Sequence, residues 1–166
     1  MDILRNRKDI PEGLYGITGD NFANGKSNYQ CVEEMIKGGI KIVQYRDKRK
    51  NSREKVEEAK VIRELCRKNN VLFIVNDDVA IAMLVDADGV HVGQEDMKPA
   101  DVRKLIGENK IIGLSTHSEE QGMEAYNNED VDYIGVGPIF PTTTKDTAPV
   151  GLEYLEFAVK NLYLPF

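Results

Sequence analysis

The sequence predicts an α/β protein with a parallel sheet of the (β/α) barrel, or TIM barrel, type, and three observations carry that expectation. Short apolar runs alternate with amphipathic helical stretches six times along 166 residues, the pattern of repeated strand–helix units. A faint internal repeat sets Asp88-Gly-Val-His-Val-Gly93 against Asp132-Tyr-Ile-Gly-Val-Gly137, which suits a barrel of similar units better than a doubly wound sheet. No GxGxxG follows the first strand run, so a dinucleotide-binding sheet is disfavoured. The length is that of one domain.

In chain order, Met1 to Asp9 reads as a short leading helix stopped by Pro11, and Gly13–Gly19 as the first strand. Asn28 to Lys37 is helical with Val32, Met35 and Ile36 on one face, ended by Gly38-Gly39. Ile40–Tyr45 is the second strand. Asn51 to Asn69 is the longest helix: Asn51 and Glu54 make a capping box, and Val56, Ala59, Ile62 and Cys66 form its apolar stripe. Val71–Val75 is apolar throughout, as a strand covered on both faces should be. Asp78 can cap a helix over Val79–Val85, and Gly89–Gly93 is strand four. Pro99 opens a helix with Val102, Leu105 and Ile106 as its stripe and Gly107 as its stop. Lys110–Leu114, a helix to about Asn127 opened by a Ser118–Gln121 capping box, and Tyr133–Gly137 follow. A polar loop, Pro141–Pro149, leads to a last helix carrying Leu155, Ala158, Val159 and Leu162.

Composition narrows the function classes. Asp and Glu number 28 against 22 Lys and Arg, a net charge of −6, so no basic footprint for nucleic acid exists. No stretch approaches a membrane span and no secretory leader is recognisable, so a cytoplasmic protein is expected. Cys31 and Cys66 fall at apolar helical positions outside any CxxC pattern and read as reduced thiols.

Polar clusters follow successive strands: Gln44, Arg46 and Lys48; Asn76 and Asp77; Gln94, Glu95 and Asp96; Ser115, Thr116 and His117; then Thr142, Thr144 and Lys145. The C-terminal strand ends of a (β/α) barrel share one face, where active sites sit. Asp77 and Asp96, on neighbouring strand ends, can hold one Mg²⁺, which takes one or two carboxylates and completes its shell with water and substrate phosphate. Arg46, Lys48 and Lys145 are cations for phosphate oxygens. Gln44, Asn76 and Ser115 are neutral hydrogen-bonding groups suited to an uncharged ring. The set favours Mg²⁺-assisted loss of diphosphate from a flat polar group. Each piece has a plainer reading alone: Asp77 or Asp78 as a helix cap, Glu95 and Asp96 as a solvated turn, and His117 as structural, while His91 reads as either a core residue or a wall of the site.

Together the motifs resemble the thiamine-phosphate synthase family. The resemblance rests on Gln44-Tyr-Arg46-Asp-Lys48, Val75-Asn76-Asp77-Asp78, the segment Asp88 to Asp96, Gly113-Leu-Ser115-Thr-His117, and Gly135 to Lys145. It implies a transferase that joins hydroxymethylpyrimidine diphosphate to thiazole phosphate, releasing diphosphate and thiamine phosphate. By the same resemblance Asp77 and Asp96 ligate Mg²⁺. Arg46, Lys48, Asn76, Ser115 and Lys145 hold the diphosphate, and these cations with Ser115 are the catalytic groups. Gln44 meets the pyrimidine, and Thr142 and Thr144 meet the thiazole phosphate. The family barrel has eight strands, so residues 1–166 are expected to form one barrel domain lacking the last two, with exposed edges open to self-association. A thiazole tautomerase relative and a non-catalytic fragment that binds ligand or pairs with a partner chain are the alternatives.

Overall fold

The computed structural model describes residues 9–19, 24–143 and 148–166, and the six expected strand–helix units form within them. The leading helix expected over Met1–Asp9 lies, but for Asp9, outside the described residues. The elements are β1 (Tyr15–Ile17), α1 (Asn28–Lys37), β2 (Ile42–Tyr45), α2 (Ser52–Lys68), β3 (Leu72–Asn76) and α3 (Val79–Leu84). They continue as β4 (Gly89–Val92), α4 (Pro99–Ile106), β5 (Ile111–Thr116), α5 (Glu119–Asn127), β6 (Tyr133–Val136) and α6 (Gly151–Asn161).

Local chemistry starts the helices where the sequence places their caps. Asn51 and Glu54 close the reciprocal capping box of α2, and Asp78 accepts from the Ile81 N–H at the start of α3. Ser27 and Gln30 make a second capping box, unforeseen, on α1. Ser118 caps α5, but Gln121 Oε1 accepts from the His117 N–H instead of reaching back to Ser118. Two apolar stripes need correcting. In α4 Leu105 is exposed and Arg103 takes a buried position; in α6 Tyr154, Ala158 and Leu162 are buried while Val159 faces out.

The strands are all parallel and lie in the order β1-β2-β3-β4-β5-β6, so each helix returns the chain to the next neighbour without reversal. A doubly wound sheet would reverse once. The sheet curls: the hydroxyls of Tyr15 on β1 and Tyr133 on β6 are 2.7 Å apart although those strands are its two edges. Beside β6, the Ile134 N–H donates to the carbonyl of Pro165. The described residues therefore make a curled open sheet, part of a barrel wall, and not the closed circuit of a TIM barrel.

Strand alternation divides the core in two. Val43, Tyr45, Phe73, Val75, Val90, Val92, Ile112 and Ile134 point outward and pack with Val32, Ala59, Ile62, Cys66, Val102 and Ala158 of the helices. Ile42, Ile74, Ile111 and Tyr133 point inward and form a separate cluster with Ile10, Tyr15 and Leu72. Cys66 sits in the outer layer, where burial pushes its thiol up to about 12, as an inert structural cysteine should be.

The sequence repeat has a physical cause at the N-terminal strand ends. Asp88, just before β4, accepts from the Phe73 N–H of β3 at 2.8 Å and takes two bonds from Arg63 of α2. Asp132, just before β6, accepts from the Ile112 N–H of β5 at 2.8 Å and from Arg103 of α4 at 2.9 Å. Each aspartate thus ties its own strand to the preceding strand and to the helix leading into it. Arg103 is the more committed cation, donating also to the carbonyls of Gly107, Lys110 and Asp130.

Arg103→Met should therefore destabilise by about 3–5 kcal/mol in urea denaturation, because it strands Asp132 in a buried setting. Leu105→Ala, at an exposed position on the same helix, should cost under ~1 kcal/mol. A larger loss at Leu105 would show that the sequence stripe, not the arginine clamp, anchors α4.

Candidate active site

A cavity of about 910 Å³ runs along the inner face; Gln44, Arg46, Asn76, Ser115 and Thr142 line it toward the C-terminal strand ends, and it continues past Tyr15 and Ile42 to Ile10 and Pro11. Alternation explains the selection: Gln44, Asn76, His91 and Ser115 share the inward parity of Ile42 and Ile74, and the parallel register sets Asn76 against His91 and Ser115 against Gly135. Thr116, grouped with Ser115 by sequence position, points the other way. It is fully buried, and its hydroxyl accepts from Tyr154 of α6 at 2.6 Å.

Below the polar rim a hydrogen-bonded chain crosses the interior. Gln44 Nε2 donates to the Tyr15 hydroxyl at 2.8 Å, and that hydroxyl meets Tyr133. His91 Nδ1 lies 2.9 Å from the Tyr133 hydroxyl, and its Nε2 lies 2.9 Å from Ser115 Oγ. Burial pushes the Tyr15 phenol up to about 12, against smaller opposing effects of the bonds from Tyr133 and Gln44, and burial raises Tyr133 well above its ordinary value. Both phenols therefore keep their protons at neutral pH. The chain needs a glycine at Gly113, where a Cβ would lie 2.1 Å from the Tyr133 ring.

The loop after β2 is held from behind. Buried Thr18 donates to the Arg46 carbonyl and accepts from the Arg46 N–H, which fixes the backbone that carries the guanidinium. Asp47 points away from the cavity. It accepts from the Arg49 and Lys50 N–H groups, the Lys50 ammonium and the Asn28 amide. Glu58 of α2 adds bonds from Tyr45, Lys50 and Asn28. Burial pushes the Asp47 carboxyl up, but the bonds from Lys50 and Arg49 outweigh it and hold the carboxyl well below the usual carboxylate range.

The acidic residues sit at the ends of β3 and β4. Asp77 follows Asn76 directly in a left-handed conformation, φ 60°, anchored by its N–H to the His91 carbonyl. Its Oδ2 lies 3.1 Å from the Lys48 ammonium. Asp96 Oδ2 accepts from the Gly93 N–H at 2.7 Å. Among the described residues no group of three or more His, Cys, Asp or Glu could hold a metal. Two carboxylates suffice for Mg²⁺, and each of these is oriented through Oδ2 while Oδ1 takes no part in those bonds, so the donor set fits a hard cation. Asp78 is the α3 cap and not part of this set.

Of the site residues expected from sequence, Gln44, Arg46, Asn76, Ser115 and Thr142 share the cavity wall, and Lys48 reaches Asp77. Thr144 and Lys145 lie outside the described residues. His91, read as either core or wall, is both. His117 also borders the cavity, and because its Nδ1 faces the Gly137 carbonyl, which only accepts, that nitrogen carries the proton. Tyr15 and Tyr133 were not foreseen as site residues. An aromatic in a short strand reads as core, and the one clue was Gly113, which leaves room for the Tyr133 ring.

Comparison with known proteins gives a consistent picture. The family described as thiamine monophosphate synthase matches residues 14–166. The chain is 56% identical over 155 residues to thiamine-phosphate synthase of Pelotomaculum thermopropionicum, spanning 92% of this chain and 71% of that protein. It is 47% identical to the enzyme of the same name from Caldicellulosiruptor saccharolyticus, over 92% and 70% of the two chains. Among solved structures it is similar to a thiamine phosphate pyrophosphorylase from Pyrococcus furiosus, with TM-score 0.80, 38% identity, and 91% and 71% of the two chains covered. No helix among the described residues is long and apolar enough to cross a membrane.

The Asp47 cluster sets a pH dependence. A depressed carboxyl contributes stability that is complete above its unfolded pKa, near ~4, and is lost as pH falls through its folded value. Asp47→Asn should cost about 1–3 kcal/mol at pH 7. It should also lose less further stability than the wild type between pH 4 and lower pH. Parallel urea-midpoint curves for the two proteins across that range would contradict this.

Proposed function

As the chain belongs to the thiamine monophosphate synthase family, we propose that it transfers a hydroxymethylpyrimidine group from diphosphate to the ring nitrogen of a thiazole phosphate. The methylene carbon–oxygen bond to diphosphate breaks and the electron pair leaves with diphosphate. A carbon–nitrogen bond to the thiazole then forms, giving thiamine phosphate. The observation that carries this reading is the convergence of Gln44, Arg46, Asn76, Ser115 and Thr142 on one cavity beside the Lys48–Asp77 pair.

Each group has work suited to its chemistry. Arg46, on a backbone clamped by Thr18, and Lys48 supply fixed positive charge where the departing diphosphate gathers negative charge. Asn76 and Ser115 donate hydrogen bonds to the same oxygens, a role the family resemblance also gives to Lys145. Gln44 and the aromatic wall suit the flat, neutral pyrimidine, and by the same resemblance Thr142 and Thr144 would take the thiazole phosphate. Asp77 and Asp96 would hold Mg²⁺, which when bound neutralises diphosphate charge. No side chain need remove a proton in the bond-breaking step. The curled, singly wound sheet is read as part of a closed (β/α) barrel wall.

Incubation with both substrates and Mg²⁺ should release diphosphate and thiamine phosphate; no release would overturn the assignment. Asp96→Asn should weaken Mg²⁺-dependent diphosphate binding by tenfold or more, on the order expected for losing a charged ligand. Asp78→Ala should instead cost about 1 kcal/mol of stability through the lost α3 cap. Equal effects of the two on metal-dependent affinity, read by calorimetry, would show that the acidic pair is wrongly divided.

A further inference from the structure

The interior chain of hydrogen bonds has a direction, and the direction decides what Ser115 can do. Gln44 Nε2 only donates, so the Tyr15 oxygen accepts there. The Tyr15 hydrogen then goes to the Tyr133 oxygen, and the Tyr133 hydrogen to His91 Nδ1. That leaves Nε2 as the protonated nitrogen, donating to Ser115 Oγ at 2.9 Å. In the reverse sense Tyr15 would accept from both Gln44 and Tyr133, and its own hydrogen would find no acceptor along the chain. Leaving a donor unmade is the costlier arrangement.

We infer that Tyr133 and His91 are positioning residues that hold the Ser115 hydroxyl as a hydrogen-bond donor to an anionic oxygen in the cavity. A serine beside a histidine suggests a nucleophile and its base. That pair needs an unprotonated nitrogen facing the serine and a third group that accepts from the other nitrogen. Here the third group is a phenol that gives its hydrogen to Nδ1, so the imidazole presents N–H to Ser115 and the serine keeps its proton. A hydroxyl that already accepts from an N–H is polarised to donate more strongly. The identity of the anion rests on the diphosphate reading above; the direction of the chain does not.

The two histidines of the sequence make the test clean. In ¹⁵N-histidine-labelled protein at neutral pH, long-range ¹H–¹⁵N spectra should show His91 as the Nε2–H tautomer and His117 as the Nδ1–H tautomer, with His117→Gln fixing the assignment. Tyr133→Phe should shift His91 away from pure Nε2–H, leave His117 unmoved, and weaken binding of inorganic diphosphate with Mg²⁺ roughly tenfold. His91 found as Nδ1–H or doubly protonated in the wild type would overturn the inference without use of any variant. So would a Tyr133→Phe protein with unchanged His91 tautomer and diphosphate affinity. Failure of the wild type to bind diphosphate, with His91 as Nε2–H, would overturn the anion role together with the proposed function and leave the direction of the chain as the surviving part.

Discussion

The contact on which the rest depends is the one between Tyr15 and Tyr133, 2.7 Å apart across 118 residues of sequence. It exists because the sheet curls, and the curl follows from strand twist accumulated over six parallel neighbours wound in one sense. On a flatter sheet the two edges would stand apart and Gln44, His91 and Ser115 would line a groove. With the curl they surround a cavity, and the two phenols meet across its wall.

The two ends of the strands do different work. At the N-terminal ends, Asp88 and Asp132 engage arginines and neighbouring strand N–H groups, and the energy goes into stability. At the C-terminal ends, polar side chains of inward parity are left facing a cavity, and their support comes from the layer behind. Thr18 holds the Arg46 backbone and the Asp47–Lys50–Glu58 cluster holds the loop, so the backbone that carries Arg46 and Lys48 is set before binding. Such fixed charges stabilise a developing anion better than mobile ones.

Much of this was legible in the sequence. Apolar runs and caps place the strands and helices, and the spacing of polar residues after each run places Gln44, Arg46, Asn76 and Ser115 on one face. Three things were not legible. Period-two alternation separates Ser115 from Thr116 only once the strand is known to run through both, to Thr116. Arg103 reads as a solvated helix charge because its partner, Asp132, is a long-range contact that helix periodicity does not encode. Tyr15 and Tyr133 become partners only through the curl, a property of the whole sheet, although Gly113 marks where the Tyr133 ring presses inward.

The central claim, that curling joins the sheet's edges through a specific pair, is tested most directly by a double-mutant cycle on Tyr15→Phe and Tyr133→Phe. The coupling energy expected in urea denaturation is about 0.5–1.5 kcal/mol, the worth of one hydrogen bond between the two hydroxyls. Strict additivity of the two losses would contradict it.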